Sequence, residues 1–369
     1  MKVLVTGASG FIGKNLIASL HNLGYEVFAF DRESTQEDLI LYTKEADAVV
    51  HLAGINRPEN PSEFKEGNTD LTQQICDLLV QHQNQAPFIL SSSIQVSLDN
   101  AYGQSKRDAE IIVKNHAAKN HSRIIIYRFS NLFGKWSRPN YNSVVATWCY
   151  NISRGLEVSL SDPNVSLTLE YIDDVVHELI RAINGNPNID DKSIATVPVS
   201  HTVTLQELLN LIQSFKQSRI DLRIPDVADP LTRKLYSTYL SYLDINDFSY
   251  PLMTHSDNRG SFTEIFKNDH AGQVSVNISK PGITKGNHWH HSKIEKFLVV
   301  QGEGTFQFRH IITNEIIEYQ INDKNMTVVD IPPGYTHNII NTGAIDLVTI
   351  IWVNEYYDPN NPDTYSMEV

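Results

Sequence analysis

A glycine-rich turn near the N-terminus constrains the fold of this chain more than any other segment. Thr6–Gly13 read TGASGFIG and follow an apolar run, Lys2–Thr6, that is typical of a buried strand. Apolar residues then recur at helical spacing up to Leu23. Glycines between a strand and a helix allow the backbone to approach a pyrophosphate at the helix N-terminus. The turn therefore predicts a dinucleotide site with contacts from Gly7, Gly10, Phe11, Ile12 and Gly13.

The segments after this turn alternate between strand-like and helix-like patterns. Four further apolar runs predict strands, at residues 25–30, 48–52, 88–90 and 124–129. This alternation predicts an α/β Rossmann-type fold with a doubly wound parallel sheet. After about residue 245 short alternating runs separated by glycines predict an all-β sandwich or barrel. For a chain of 369 residues we expect two domains, 1–245 and 246–369.

Composition excludes several classes of partner. The net charge is −13 and there is no basic block, so we expect no nucleic acid and no anionic membrane as partner. No apolar stretch reaches the ~20 residues that a membrane helix needs. The two cysteines, Cys76 and Cys149, form no disulfide framework. We expect a cytoplasmic protein.

An acidic residue ends the second predicted strand. Asp31 is placed where an acid commonly binds the adenosine ribose of NAD. Arg32 follows it and has the charge that the 2′-phosphate of NADP requires. The pair leaves both cofactors open, and Arg32 favours NADPH.

A tyrosine and a lysine follow the fourth predicted strand. Tyr102 and Lys106 are four residues apart, which places them on one helix face. The ammonium is expected to lower the pKa of the phenol, so that Tyr102 can exchange a proton with a carbonyl or alcohol. A serine from Ser91–Ser93 can orient the same oxygen.

These motifs together resemble the extended short-chain dehydrogenase/reductases, which act largely on nucleotide sugars. The resemblance covers residues 1–243. It is carried by TGASGFIG, HLAG at 51–54, Asn68, SSS at 91–93, YGQSK at 102–106, RFSNLFG at 128–134 and YIDDV at 171–175. It implies that Tyr102 is the catalytic acid or base, that Lys106 binds the nicotinamide ribose, and that Leu52 and Ala53 line the cofactor. It also implies a catalytic serine, for which we choose Ser93 over Ser92.

Basic and amide side chains beyond the fifth predicted strand are candidates for the sugar nucleotide. Basic and aromatic residues there can bind a pyrophosphate and stack on a base. The predicted substrate-binding residues of this region are Arg128, Asn131, Lys135 and Arg138.

Histidines are concentrated in the C-terminal part, where residues 255–369 contain seven of the 14. His288 and His290 alternate on one strand face, and Glu295 and His337 complete a set of three imidazoles and one carboxylate. Such a set suits Zn, Fe(II), Mn or Ni. We expect a divalent metal here, with zinc as our choice.

The spacing of this set resembles the cupin motifs, which implies a jelly-roll domain. DNRGSFTE at 257–264 also resembles the start of a keto-sugar 3,5-epimerase, and this implies that His288 is a catalytic base. An imidazole bound to metal cannot take a substrate proton through the same nitrogen, so ligand and base remain alternatives for His288. Lys285, Glu264 and Tyr335 are other candidates for the base, and Lys285 is also predicted to bind substrate.

A reductase joined to a cupin resembles the bifunctional enzymes of capsular polysaccharide synthesis. This implies a UDP-2-acetamido-2,6-dideoxy-4-keto-hexose that is epimerised at C3 and reduced at C4 with NADPH. The product would be UDP-2-acetamido-2,6-dideoxy-L-talose, on the route to N-acetyl-L-fucosamine. The alternatives are a reductase or epimerase with a non-catalytic cupin, and a non-enzymatic NADP sensor. By analogy of fold we expect a homodimer.

Overall fold

The computed structural model describes residues 1–56, 60, 64–191 and 193–369. The chain divides into two compact units. The first contains residues 1–213 and 234–244, and the second contains 214–233 and 245–369. Residues 214–233 therefore group with the second unit, whereas the sequence analysis places them in the first domain.

The first unit is built on a parallel sheet of five strands. These are β1 (Lys2–Thr6), β2 (Glu26–Phe30), β3 (Ala48–His51), β4 (Phe88–Ser93) and β5 (Ile124–Phe129). They lie in the order β2-β1-β3-β4-β5. A smaller sheet contains β6 (Asn131–Phe133), β7 (Ser166–Tyr171) and β8 (His201–Thr204). The predicted parallel sheet is confirmed.

Helices connect or follow these strands. They are α1 (Phe11–Asn22), α2 (Gln36–Glu45), α3 (Leu71–Gln81), α4 (Ala101–Asn120), α5 (Val144–Ser153), α6 (Ile172–Ile183), α7 (Leu205–Asp221) and α8 (Pro230–Leu240). A π-helical turn spans Lys65–Asp70, and 3₁₀ turns span Ile94–Ser97 and Ile245–Asp247. In the described residues no helix is long and apolar enough to cross a bilayer.

The parallel sheet is covered on both faces. Apolar residues of α1 and α6 pack on one face, where Leu16 and Leu179 are fully buried. Residues of α2, α3 and α4 pack on the other, where Leu39 and Leu79 are fully buried. This two-sided burial explains why the strands are nearly continuous apolar runs.

The second unit contains two antiparallel sheets. The strands are β9 (Thr254–Asp257), β10 (Gly260–Asn268), β11 (Gly272–Ser279), β12 (Thr284–Trp289), β13 (Glu295–Gln301), β14 (Glu303–His310), β15 (Ile316–Asn322), β16 (Val328–Ile331), β17 (Tyr335–Asn341), β18 (Leu347–Val353) and β19 (Tyr365–Ser366). The first sheet has six strands in the order β16-β13-β18-β11-β10-β9, and the second has five in the order β15-β14-β17-β12-β19.

An apolar core in this unit is formed by residues from both sheets. Phe297 of β13 packs edge-on against Phe306 of β14, with ring centroids 5.1 Å apart, and both are buried. The all-β architecture predicted for the C-terminal part is confirmed.

Candidate functional site

The glycine-rich turn has a conformation that side chains would obstruct. Gly7 has φ +67°, and a Cβ there would lie 2.8 Å from the Ala53 nitrogen. A Cβ on Gly13 would lie 2.7 Å from the Ala8 carbonyl oxygen. Gly10 is the N-cap of α1 and supplies no side-chain hydrogen bond. The amides at this helix end are therefore available to an anionic ligand.

Asp31 lies at the end of β2, beside the glycine-rich turn. Its carboxylate accepts hydrogen bonds from the backbone nitrogens of Ser9, at 2.5 Å, and Arg32, at 2.8 Å. Burial raises the pKa of this carboxyl, but the hydrogen bonds from Ser9 and Arg32 outweigh burial and hold the pKa below its usual value. The Arg32 side chain is exposed.

The ends of β4 and α4 bring the predicted catalytic side chains together. The Ser93 hydroxyl lies close enough to Tyr102 to lower the pKa of its phenol, and it accepts a hydrogen bond from the Gln95 nitrogen at 3.2 Å. Lys106 donates to the Ser91 carbonyl oxygen at 3.0 Å, and its Nζ lies 5.9 Å from the centroid of the Tyr102 ring. This arrangement favours Ser93 as the partner of Tyr102.

Protonation of the two groups differs from the sequence-based expectation. Burial raises the pKa of Tyr102, and the hydrogen bond with Ser93 opposes this only in part. Burial lowers the pKa of Lys106 to about 8, while Glu110 acts in the opposite direction. The predicted lowering of the Tyr102 pKa by Lys106 is therefore wrong for this structure, because desolvation of the phenol dominates. At neutral pH the site contains a phenol and an ammonium.

Ser92 and Arg128 are both engaged by one buried carboxylate. Glu110 on α4 accepts a hydrogen bond from Ser92 Oγ at 2.8 Å. It also accepts two from the Arg128 guanidinium, at 2.9 Å and 2.7 Å. Arg128, predicted to bind substrate, is thus an ion-pair partner of Glu110. The sequence analysis missed Glu110, although its spacing of four from Lys106 places both on one helix face.

Asn68 is a second residue to which the sequence analysis gave no role. It is buried in the π-helical turn, and its Oδ1 accepts from the Ile55 nitrogen at 2.7 Å. Its Nδ2 donates to Ser105 Oγ at 2.9 Å. A Cβ on Gly54 would lie 3.1 Å from Lys106 Nζ, so Asn68 and Gly54 border the lysine. π-Helical turns are frequent at functional sites.

The other predicted substrate residues of this unit are not gathered at one point. Asn131 donates to the Thr168 carbonyl oxygen at 3.1 Å. Lys135 pairs with Asp173, and the Arg138 guanidinium lies over the Tyr141 ring at 5.4 Å. A cleft of about 290 Å³ is lined by Tyr127, Arg128, Phe129, Glu170, Asp190 and residues 194–197. Of the four predicted residues, Arg128 lines this cleft.

The predicted ligand set in the second unit forms one cluster. Ligand atoms of His288, His290, Glu295 and His337 all lie within 4.8 Å of one another. Glu295 Oε2 is 3.1 Å from His337 Nε2 and 3.5 Å from His290 Nε2. His288 and His337 are direct neighbours across β12 and β17, whereas Glu295 begins β13 in the other sheet. The cluster therefore joins the two sheets.

The chemistry of this cluster fits a divalent metal. Glu295 Oε2 and both Nε2 atoms of His290 and His337 are buried without a hydrogen-bond partner, which is costly unless another ligand binds them. His290 Nδ1 faces the Asp363 carbonyl oxygen at 2.6 Å. Because a carbonyl only accepts, Nδ1 carries a proton, and Nε2 is the ring nitrogen left to bind a metal. Burial lowers the pKa of His288 to about 4, so this imidazole is neutral.

The three other candidates for a base have different surroundings. Lys285 Nζ donates to Asn277 Oδ1 and to the Ile278 carbonyl oxygen, both at 2.7 Å. Glu264 pairs with Lys267 at 3.2 Å. The Tyr335 ring packs edge-on against His310, with centroids 4.9 Å apart. Lys285 is thus bound to oxygen acceptors of its own unit.

Comparison with known proteins finds a family match in the N-terminal part of the chain and another in the C-terminal part. Residues 3–195 match the NAD dependent epimerase/dehydratase family. The chain belongs to this family. Residues 255–365 match the polysaccharide biosynthesis C-terminal domain. The family segment contains the Ser93–Tyr102–Lys106 arrangement, and the second segment contains the histidine cluster.

Relatives extend the family resemblance to the full chain. The chain is 43% identical over 370 residues to UDP-2-acetamido-2,6-beta-L-arabino-hexul-4-ose reductase of Pseudomonas aeruginosa, covering 100% of this chain and 99% of the relative. The crystal structure of the capsular polysaccharide assembling protein CapF from Staphylococcus aureus has 52% identity and a TM-score of 0.95, with both chains covered in full. CapF with the inhibitor 3-isopropenyl-tropolone has 48% identity and a TM-score of 0.90, again with full coverage.

Proposed function

We propose that the first unit reduces the C4 ketone of a UDP-linked 2-acetamido-2,6-dideoxy-4-keto-hexose with NADPH. The observation that carries this proposal is the placement of Tyr102 near Ser93 and Lys106, with Lys106 Nζ 5.9 Å from the centroid of the phenol ring. The Pseudomonas relative, a reductase of a UDP-linked hexul-4-ose, supports the substrate class.

The protonation of the site suits reduction. The cofactor supplies a hydride to C4 when bound. Tyr102 must then donate a proton to the oxygen at C4, and its raised pKa keeps it protonated until charge develops on that oxygen. Ser93 holds the same oxygen, and the positive charge of Lys106 stabilises the phenolate that remains.

The nucleotide turn supports NADPH as the cofactor. Arg32 is exposed beside Asp31 and can pair with a 2′-phosphate. We expect Arg32→Gln to lower kcat/KM for NADPH about tenfold and to leave NADH nearly unchanged, since an exposed charge-assisted contact contributes about 1.5 kcal/mol. An equal loss with both cofactors would contradict the assignment.

We further propose that the second unit is a cupin that epimerises C3 of the same sugar before reduction. A ketone at C4 acidifies the hydrogen at C3, because the carbanion formed is an enolate. His288, His290, Glu295 and His337 would hold a divalent metal, with zinc as our choice. A metal supplies Lewis-acid stabilisation of an enolate oxygen. Reduction at C4 would then fix the new configuration and give the UDP-linked L-talose derivative for capsule precursor synthesis.

A deuterium experiment tests the two activities separately. The parent protein should exchange the C3 hydrogen of the keto sugar in D₂O, and it should oxidise NADPH. Tyr102→Phe should lose NADPH oxidation and keep C3 exchange, whereas His337→Ala should lose exchange and keep reduction of the epimerised sugar. Exchange retained by His337→Ala would favour a non-catalytic cupin. NADPH oxidation retained by Tyr102→Phe would refute the role of the tyrosine. If the parent protein itself does not oxidise NADPH, the result would favour an NADP sensor.

We also propose a homodimer. One feature of β11 supports it, since Val274, Val276 and Ile278 lie on the less buried side of the six-stranded sheet while Ser275 and Asn277 are buried. An apolar outer side of this kind suits contact with a second subunit. Light scattering during size-exclusion chromatography tests this, and a mass of 41.8 kDa across the concentration range would refute it.

A further inference from the structure

The C-terminal strap, Asp363–Met367, contacts every segment that carries a histidine of the cluster. Ser366 and Tyr365 pair with His288 and Trp289 as β19 beside β12. The Met367 nitrogen donates to the Asn287 carbonyl oxygen at 2.9 Å.

The strap also reaches β17. Thr336 Oγ1, next to His337, donates to the Met367 carbonyl oxygen. The C-terminal strap thus contacts both β12 and β17, the two strands that carry His288 and His337.

Asp363 contacts the imidazole of a cluster histidine. Its carbonyl oxygen accepts from His290 Nδ1 at 2.6 Å. Its carboxylate accepts from the backbone nitrogens of the loop after His290, namely His291 at 2.9 Å, Ser292 at 2.9 Å and Lys293 at 3.0 Å. Asp363 has φ +37°, a conformation in which aspartate and asparagine are enriched among non-glycine residues.

These contacts have one combined consequence for His290. The carbonyl fixes the tautomer and the ring orientation, and the carboxylate fixes the loop that follows the histidine. Partners of this kind change metal affinity about 10- to 100-fold when they are removed.

We propose that Asp363 is a positioning residue for the candidate metal site, and that metal binding and docking of the C-terminal strap are coupled. This proposal rests on the metal site proposed above. Coupling is reciprocal, so the metal should stabilise the docked strap as much as the docked strap strengthens metal binding. No step of the sugar chemistry is needed to observe either effect.

Zinc titration of the full chain tests one direction of the coupling. Metal-stripped protein is titrated with ZnCl₂ in competition with a chromogenic chelator. We expect Asp363→Asn to weaken zinc binding at least tenfold, because its amide nitrogen cannot accept from the Ser292 and Lys293 nitrogens as Oδ2 does, while asparagine tolerates the positive φ. Asp358→Asn is the matched control, since Asp358 accepts from the Asn360 nitrogen at 2.8 Å. It should bind zinc like the parent.

Hydrogen exchange of the parent tests the other direction and needs no variant. Zinc should slow amide exchange at residues 291–293 and at Met367. A purely structural strap would show the same exchange with and without zinc, so this result would overturn the coupling, as would Asp363→Asn binding within threefold of the parent. If the parent itself binds no zinc, or binds no better than His337→Ala, the metal site and the coupling both fail. These outcomes separate failure of the inference from failure of the site.

Discussion

The ion pair between Glu110 and Arg128 leads to the most specific prediction for stability. Glu110 is 3% exposed, while the Arg128 side chain retains 35% exposure. Removing one member of a fully buried pair costs about 3–5 kcal/mol. Partial solvent screening of Arg128 reduces this, so we expect Arg128→Gln to lower the free energy of unfolding by about 2–3 kcal/mol.

Glu110→Gln should lower the free energy of unfolding by less than Arg128→Gln does. In Glu110→Gln no buried charge remains and the Ser92 hydroxyl keeps an acceptor, so we expect a loss of about 1–2 kcal/mol. The double variant should lose less than the sum of the two single variants, which gives a coupling energy of about 1–2 kcal/mol. Lys114→Gln is the control. Lys114 lies 3.5 Å from Glu110 but its side chain is 52% exposed, and an exposed pair contributes less than about 0.5 kcal/mol.

The pH dependence gives a second measurement on the same pair. Burial raises the pKa of Glu110, but the hydrogen bonds from Arg128 and Ser92 outweigh it and hold the pKa below its usual value. The pair therefore contributes stability above the unfolded pKa of Glu110, and this contribution is lost as the pH falls through the folded pKa. Glu110→Gln should therefore show a smaller loss of stability at low pH than the parent. Urea unfolding followed by tryptophan fluorescence measures the parent and the four variants, and a coupling energy near zero would refute the reasoning.

Three further predictions follow from the first unit. Ser93→Ala should lower kcat about 100-fold with little change in stability. Ser92→Ala should instead cost about 1–2 kcal/mol of stability and leave kcat within threefold. Enzyme kinetics and urea unfolding measure both effects, and the reverse pattern would make Ser92 the catalytic serine. Since kcat/KM reports the protonation of the free enzyme, it should fall above pH 8 as Lys106 loses its proton. Over the same range stability should rise, because the unfolded chain binds more protons; Lys106→Met should remove that rise, and a rise that persists would contradict it. Gly13→Ala should weaken NADPH binding at least tenfold by fluorescence titration, since its Cβ would overlap the Gly7 and Ala8 carbonyl oxygens; unchanged affinity would contradict the role of the turn.

The sequence predicted features that depend on neighbours along the chain. The glycine-rich turn, the five parallel strands and the approach of His288 to His290 follow from strand, helix and turn periodicities, which are local properties of the backbone. Strand ends of a parallel sheet meet at one edge, so the order of motifs also predicted that Ser91–Ser93 would lie near Tyr102.

Contacts between distant residues were decided by the tertiary structure. Which serine faces Tyr102 depends on Glu110, which binds Ser92 and leaves Ser93 to the phenol. Arg128 pairs with that same carboxylate, which lies 18 residues away along the chain. The pKa of Tyr102 is raised because packing removes the phenol from water, and burial depends on the whole fold. Asp363 is separated from His290 by 73 residues. Their contact forms only once the strands are paired, so no local sequence pattern predicts it.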